Sequence, residues 1–100
     1  MLGDPGAIRA LARPLRHRAE ELRELGDQLV GQARSASWEG MAADAMRRAV
    51  GGSAHGLWRT ADLHDDAAAA LERHADRVAA ALEAIESALH ALKKALGAVA

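Results

Sequence analysis

The side chains in this chain that could carry chemistry are five histidines, His17, His55, His64, His74 and His90, scattered among Ser, Asp and Glu. A helical metal site needs two histidines four residues apart, so that both imidazoles leave one face. No pair here has that spacing. The nearest cluster is His64-Asp65-Asp66, which reads as a solvated or half-buried polar patch. Ser, His and Asp all occur, but no nucleophile elbow or matching spacing does. The chain has no Cys, which removes thiolate nucleophiles, zinc-thiolate sites and disulfides. These residues predict no catalytic, cofactor-binding or metal site, and a protein that is not an enzyme. Arg9, Arg13 and Arg16 could line one helix face, and they read as a solvated face paired with nearby Glu.

With no reactive centre, the elements themselves must carry the function. The 100 residues bound the chain to one domain, residues 1–100. Alanine is the commonest residue, there is no Phe or Tyr, and the aromatics are Trp38 and Trp58. Ala is the best helix former but removes little apolar area from water. Such a composition favours helices and disfavours a self-sufficient core, and oligomerisation is the usual remedy. A formal net charge of -1 argues against a nucleic-acid binder. No apolar stretch approaches the ~18 residues of a membrane span, so stable membrane insertion is not expected. Arg9, Arg13, Arg16, Arg18, Glu20 and Glu21 interrupt any apolar core that a cleavable signal peptide would need.

The predicted fold class is all-α, an antiparallel two-helix hairpin. Asp4-Pro5 is a helix start, an acceptor side chain followed by Pro at the first helical position. Ile8, Leu15, Leu22 and Leu29 then recur every seven residues, with Leu11 and Leu25 in a second row, predicting a helix from about Asp4 to about Arg34. Pro14 predicts a kink near Ala10–Pro14 or a short first segment. Gly26 would let a neighbouring backbone approach. Ser35 to Gly40 breaks the periodicity and forms the turn, with Ser37 as a candidate N-cap for the next helix.

The second arm is more regular. Leu71, Val78, Ile85, Leu92 and Val99 repeat every seven residues, and Ala75, Leu82, Leu89 and Leu96 fill the alternate row. Traced backwards, the seam passes Ala68, His64, Ala61, Leu57, Ala54 and Val50, with Gly51, Gly52 and Gly56 as the likeliest break or soft spot. Equal rise on both arms would set Ile8 beside Leu71 and leave everything beyond about Ala75 without a first-helix partner. That overhang carries the cleanest seam, Val78, Leu82, Ile85, Leu89 and Leu92, and it predicts a partner chain.

Trp38-Glu39-Gly40 stands at the turn of a two-helix chain of this length. It is flanked by apolar heptads and followed by Ala42-Ala43-Asp44-Ala45-Met46. In these features the chain resembles the WXG family, the small helical-hairpin substrates and adaptors of type VII secretion. Ala67-Ala68-Ala69-Ala70-Leu71 and His74-Ala75 also resemble the Ala-rich second arm of actinobacterial members. The resemblance implies a hairpin with its turn at Trp38-Glu39-Gly40 that dimerises into a four-helix bundle with a similar hairpin, as a homo- or heterodimer. It also implies contact with the secretion ATPase, and synthesis in the cytoplasm followed by secretion or cell-envelope association without a cleavable signal peptide. Trp38 could plug the open end of the hairpin or serve as a recognition point. The family's C-terminal signal, a Tyr followed four residues later by an acid, has no counterpart here, so the chain resembles the partner that lacks it. A generic helical dimerisation or regulatory module unrelated to secretion is the alternative.

Overall fold

Asp4 closes the first helix turn. Its Oδ1 accepts a hydrogen bond of 2.9 Å from the Gly6 N–H, and its carbonyl accepts one of 3.0 Å from Ile8. Helix α1 follows over Pro5–Ser35 and helix α2 over Met41–Val99. They form an antiparallel hairpin in this computed structural model, which describes residues 3–99. The molecule measures 90 × 17 × 13 Å. Its length is that of α2 alone, since 59 helical residues rise about 88 Å.

Both helices run without interruption. Pro14 does not divide α1, which corrects the expected short first segment. Pro14 and Ala10 are both exposed, so the carbonyl that loses its helical donor faces water. Gly51, Gly52 and Gly56 likewise lie within an unbroken α2.

The seam is built from small residues. In α1 the residues turned toward α2 are Ile8, Ala12, Leu15, Ala19, Leu22, Gly26, Leu29 and Ala33, at alternating steps of four and three. Ile8, Ala12, Ala19, Gly26 and Ala33 are buried, and the three leucines are half-buried. Leu11 and Leu25 stand one step aside and are exposed, so the second row of the hairpin contact is Ala12, Ala19, Gly26 and Ala33 instead. The matching row of α2 is Ala54, Ala61, Ala68 and Ala75, each fully buried, with Leu57, Leu71 and Val78 half-buried beside it.

Gly26 is required by a side chain of α2 and not by backbone. A Cβ at Gly26 would lie 2.6 Å from Trp58 Nε1 and 3.1 Å from Cδ1, so the indole lies flat in the space a side chain would fill. This corrects the expected backbone approach and gives Trp58 a packing role.

The register also differs from expectation. Gly26 lies at the level of Trp58, and Arg9 reaches Asp76 at 3.0 Å, so Ile8 lies at about the level of Asp76 and not Leu71. The shift is about five residues, or ~7.5 Å of helix. Its cause is the linker. Residues 36–40 are not helical, and Ala36 is extended (φ -64°, ψ 133°). An extended residue advances about 3.3 Å against about 1.5 Å in a helix. The linker therefore starts α2 well past the end of α1, and matching levels fall later in α2.

Arginines of α1 bridge to acids of α2 along one side. Arg9 pairs with Asp76, Arg16 with Glu72 and Asp65, and Arg23 with Asp62 and Asp65 at 2.8 Å each. Arg16 grips Glu72 with two nitrogens, one of them Nε at 3.3 Å from Oε2. The partners of Arg9 and Arg16 thus lie across the hairpin, not on their own face as expected. The hydrogen bond from Arg16 holds the Glu72 carboxyl below its ordinary value, and the same bond raises Arg16. These groups are solvent-exposed, so water and salt screen them and their weight is in register more than in stability.

Two outcomes test this packing. Trp58→Ala should cost about 2–3 kcal/mol in urea denaturation. Gly26→Ala should destabilise the native chain by ~1–2 kcal/mol through overpacking, yet stabilise the Trp58→Ala chain because Ala favours helix by ~1 kcal/mol. The same sign in both backgrounds would mean that the indole does not occupy that space. In an NMR titration, Glu72 should ionise below the ordinary carboxylate value and return to it in Arg16→Ala. Its depressed value contributes stability that is present above the ordinary carboxylate range and lost as pH falls through the depressed value.

Candidate interaction site at the hairpin turn

Arg47 holds the turn. Its Nε donates to the Ala33 carbonyl at 3.0 Å, and its Nη2 donates to the carbonyls of Ala36 at 3.0 Å and Trp38 at 2.8 Å. Helix ends leave carbonyls without intrahelical donors, and the guanidinium fork supplies several donors in one rigid plane. Charge suits the place too, since a helix C-terminus carries partial negative charge. Asp44, in the first turn of α2, lies 3.6 Å from Nη1 and steadies the fork.

Gly40 completes the turn with φ of 100°, a backbone conformation that L side chains rarely adopt. Its carbonyl accepts from Asp44 N–H at 3.0 Å, opening α2. Ser37, expected as N-cap, lies earlier in the linker, because α2 begins only at Met41. The turn thus depends on a residue that the sequence patterns did not single out. Arg47 follows Ala43 and precedes Val50 at seam spacing, so an arginine on the apolar stripe was the available signal.

Trp38, Glu39 and Gly40 are all exposed at the tip. Trp38 is 61% exposed while its own carbonyl is held by Arg47. It forms one wall of a shallow apolar groove with Leu29, Ala33, Ala36, Met46 and Val50. Beside it Met41 is also exposed. The tip therefore presents an aromatic ring and apolar side chains on a backbone fixed by hydrogen bonds, the composition of a protein contact.

The remaining expected site residues divide between the two parts of α2. Leu71 and Val78 are half-buried against α1, whereas Leu82, Ile85, Leu89 and Leu92 are exposed. The His64-Asp65-Asp66 cluster separates into structural parts. The His64 Nδ1–H donates to the Thr60 carbonyl at 2.8 Å, and Asp65 accepts from Arg16 and Arg23. Among the described residues no three His, Asp or Glu side chains gather as metal ligands would. Among them, too, no helix is long and apolar enough to cross a membrane.

Replacing Arg47 by Met should keep the stem's packing and remove the fork, lowering stability by about 1.5–3 kcal/mol. Amide exchange in residues 34–40 should accelerate while that of 54–75 changes little. Unchanged exchange at the turn would mean that the three carbonyl bonds do not hold it.

The family model described as "Putative T7SS secretion signal domain", where T7SS is type VII secretion, matches residues 1–99. No curated protein and no solved structure matches the chain. A two-helix hairpin matched over almost its whole length by that model belongs to the family of type VII secretion signal domains.

Proposed function

We propose that this chain is a non-enzymatic type VII secretion substrate or adaptor of WXG type, acting as half of a helical dimer. The observation that carries the reading is the turn: Trp38, 61% exposed, on a backbone held by Arg47 and Gly40. A ring held outside the core at some hydration cost suits a surface to be read by another protein. The reader is the secretion ATPase, which takes the folded pair by its shape and by this tip. The family match supports the export half of the proposal. The exposed seam of α2 supports the pairing half, and a partner covers it either along the whole hairpin as a four-helix bundle or along the overhang alone.

Trp38→Ala tests the reading, because loss of an exposed ring costs stability less than ~1 kcal/mol. The variant should melt and pair like the native chain, and its exported fraction in the native host should fall at least about tenfold, equivalent to ~1.4 kcal/mol of recognition. Gly40→Ala, which strains the turn without touching the indole, serves as control. A Trp38→Ala chain that melts, pairs and is exported normally would defeat the recognition role and leave a generic helical dimerisation module standing.

A further inference from the structure

The part of α2 beyond the hairpin is an amphipathic helix with one face unpartnered. From Ala80 to Ala98 every residue is exposed, about 28 Å of helix. Its seam is Leu82, Ile85, Leu89, Leu92 and Leu96, residues 48–62% exposed and spaced three-four-three-four. Two heptads of this kind form a coiled-coil seam, and the helix needs no new nucleation because it continues an already folded one.

The residues beside that seam say what covers it. On one flank stand Glu86 and Lys93. On the other stand Ala81, Ala88 and Ala95. When two helices pair in parallel, the two unlike flanks meet, so Glu86 and Lys93 of one chain would lie against alanines of the other. In an antiparallel pair like flanks meet. A second copy then sets its Lys93 beside Glu86 and its Glu86 beside Lys93, two ion pairs related by a two-fold axis. The alanine flanks meet on the opposite side, where small side chains let the backbones approach. The same register places Leu89 beside Leu92 of the second copy and Ile85 beside its Leu96.

We infer that a second copy of this chain docks on the overhang, antiparallel, through Leu82–Leu96, with Glu86 and Lys93 as reciprocal pairs that fix orientation and register. This rests on the pairing read above but does not depend on export. The product is an elongated dimer with a hairpin at each end and a two-stranded coil between. Both Trp38 tips lie at the far ends, open to a reader at the same time.

The test uses the full chain at low salt. Wild type should sediment at twice the 10.5 kDa chain mass at ~100 µM. Glu86→Lys and Lys93→Glu should each weaken self-association at least about tenfold, since each places like charges opposite one another at two places. Mixed in equal amounts, the two variants should recover dimer as a heterodimer, and the double variant Glu86→Lys/Lys93→Glu should recover it alone. Circular dichroism should be unchanged throughout, because both residues lie outside the hairpin. A wild type that stays monomeric at 1 mM, on the order of ten times the test concentration, overturns the inference. If that monomer is exported when mixed with another hairpin, the secretion reading survives. A dimer whose mass is indifferent to both charge reversals also overturns it, in favour of the four-helix bundle.

Discussion

The close approach of α1 and α2 along Ala12, Ala19, Gly26 and Ala33 against Ala54, Ala61, Ala68 and Ala75 is the constraint on which the rest of the molecule depends. Residues with one methyl or none let two helices meet near the lower limit of interaxial distance. At that distance the indole of Trp58 can lie flat on Gly26, and arginines of α1 can span to acids of α2. A leucine-rich contact would push the helices apart and lose both. The close approach has an energetic consequence. Of the described side chains, Ile8 is the one large residue fully buried, and each alanine methyl contributes only ~0.8 kcal/mol on burial. The hairpin is shaped accurately but held by little apolar area, which is the physical ground for reading it as half of an assembly.

The turn resolves a different difficulty. A hairpin with a five-residue linker must satisfy the last carbonyls of α1 while the chain runs on in extended form. Arg47 satisfies one of them, at Ala33, together with the linker carbonyls of Ala36 and Trp38, from the far side of the turn. Because it sits on the seam of α2, its stem packs with the hairpin while its head works at the tip. Gly40 then reverses the chain with a positive φ. Trp38 lies between these two fixed points with its ring exposed, next to the apolar groove of Leu29, Met46 and Val50.

Along α2 one continuous helix serves two purposes. The hairpin uses the alanine row up to Ala75 and the half-buried Val78 and Ala79 beyond it. From Ala80 onward the same four-three pattern continues without a mate. The three glycines at 51, 52 and 56 do not break the rod, because Ala54 and Leu57 keep the seam packed across them. A straight helix transmits position over its whole length, so whatever docks on the overhang is held at a fixed distance from the turn.

The sequence by itself determined the two helices, the Asp4-Pro5 start, the break before Gly40, and an unpartnered seam at the end of α2, although that seam begins at Leu82 and not at Val78, which is half-buried against α1. Periodicity and capping are local and repeat often enough to be read without a structure. Tertiary structure decided which row of α1 faces α2, because Leu11, Ala12 and Leu15 fit neighbouring stripes and only packing selects the one with the small residues. It decided the register, because a linker residue covers either helical or extended distance and composition does not say which. It decided the partners of Arg9, Arg16 and Arg23, since ion pairs between residues 39 to 67 apart follow the register. And it decided the role of Arg47, a charged residue on an apolar stripe, whose purpose appears only when the end of α1 is brought within reach of its guanidinium.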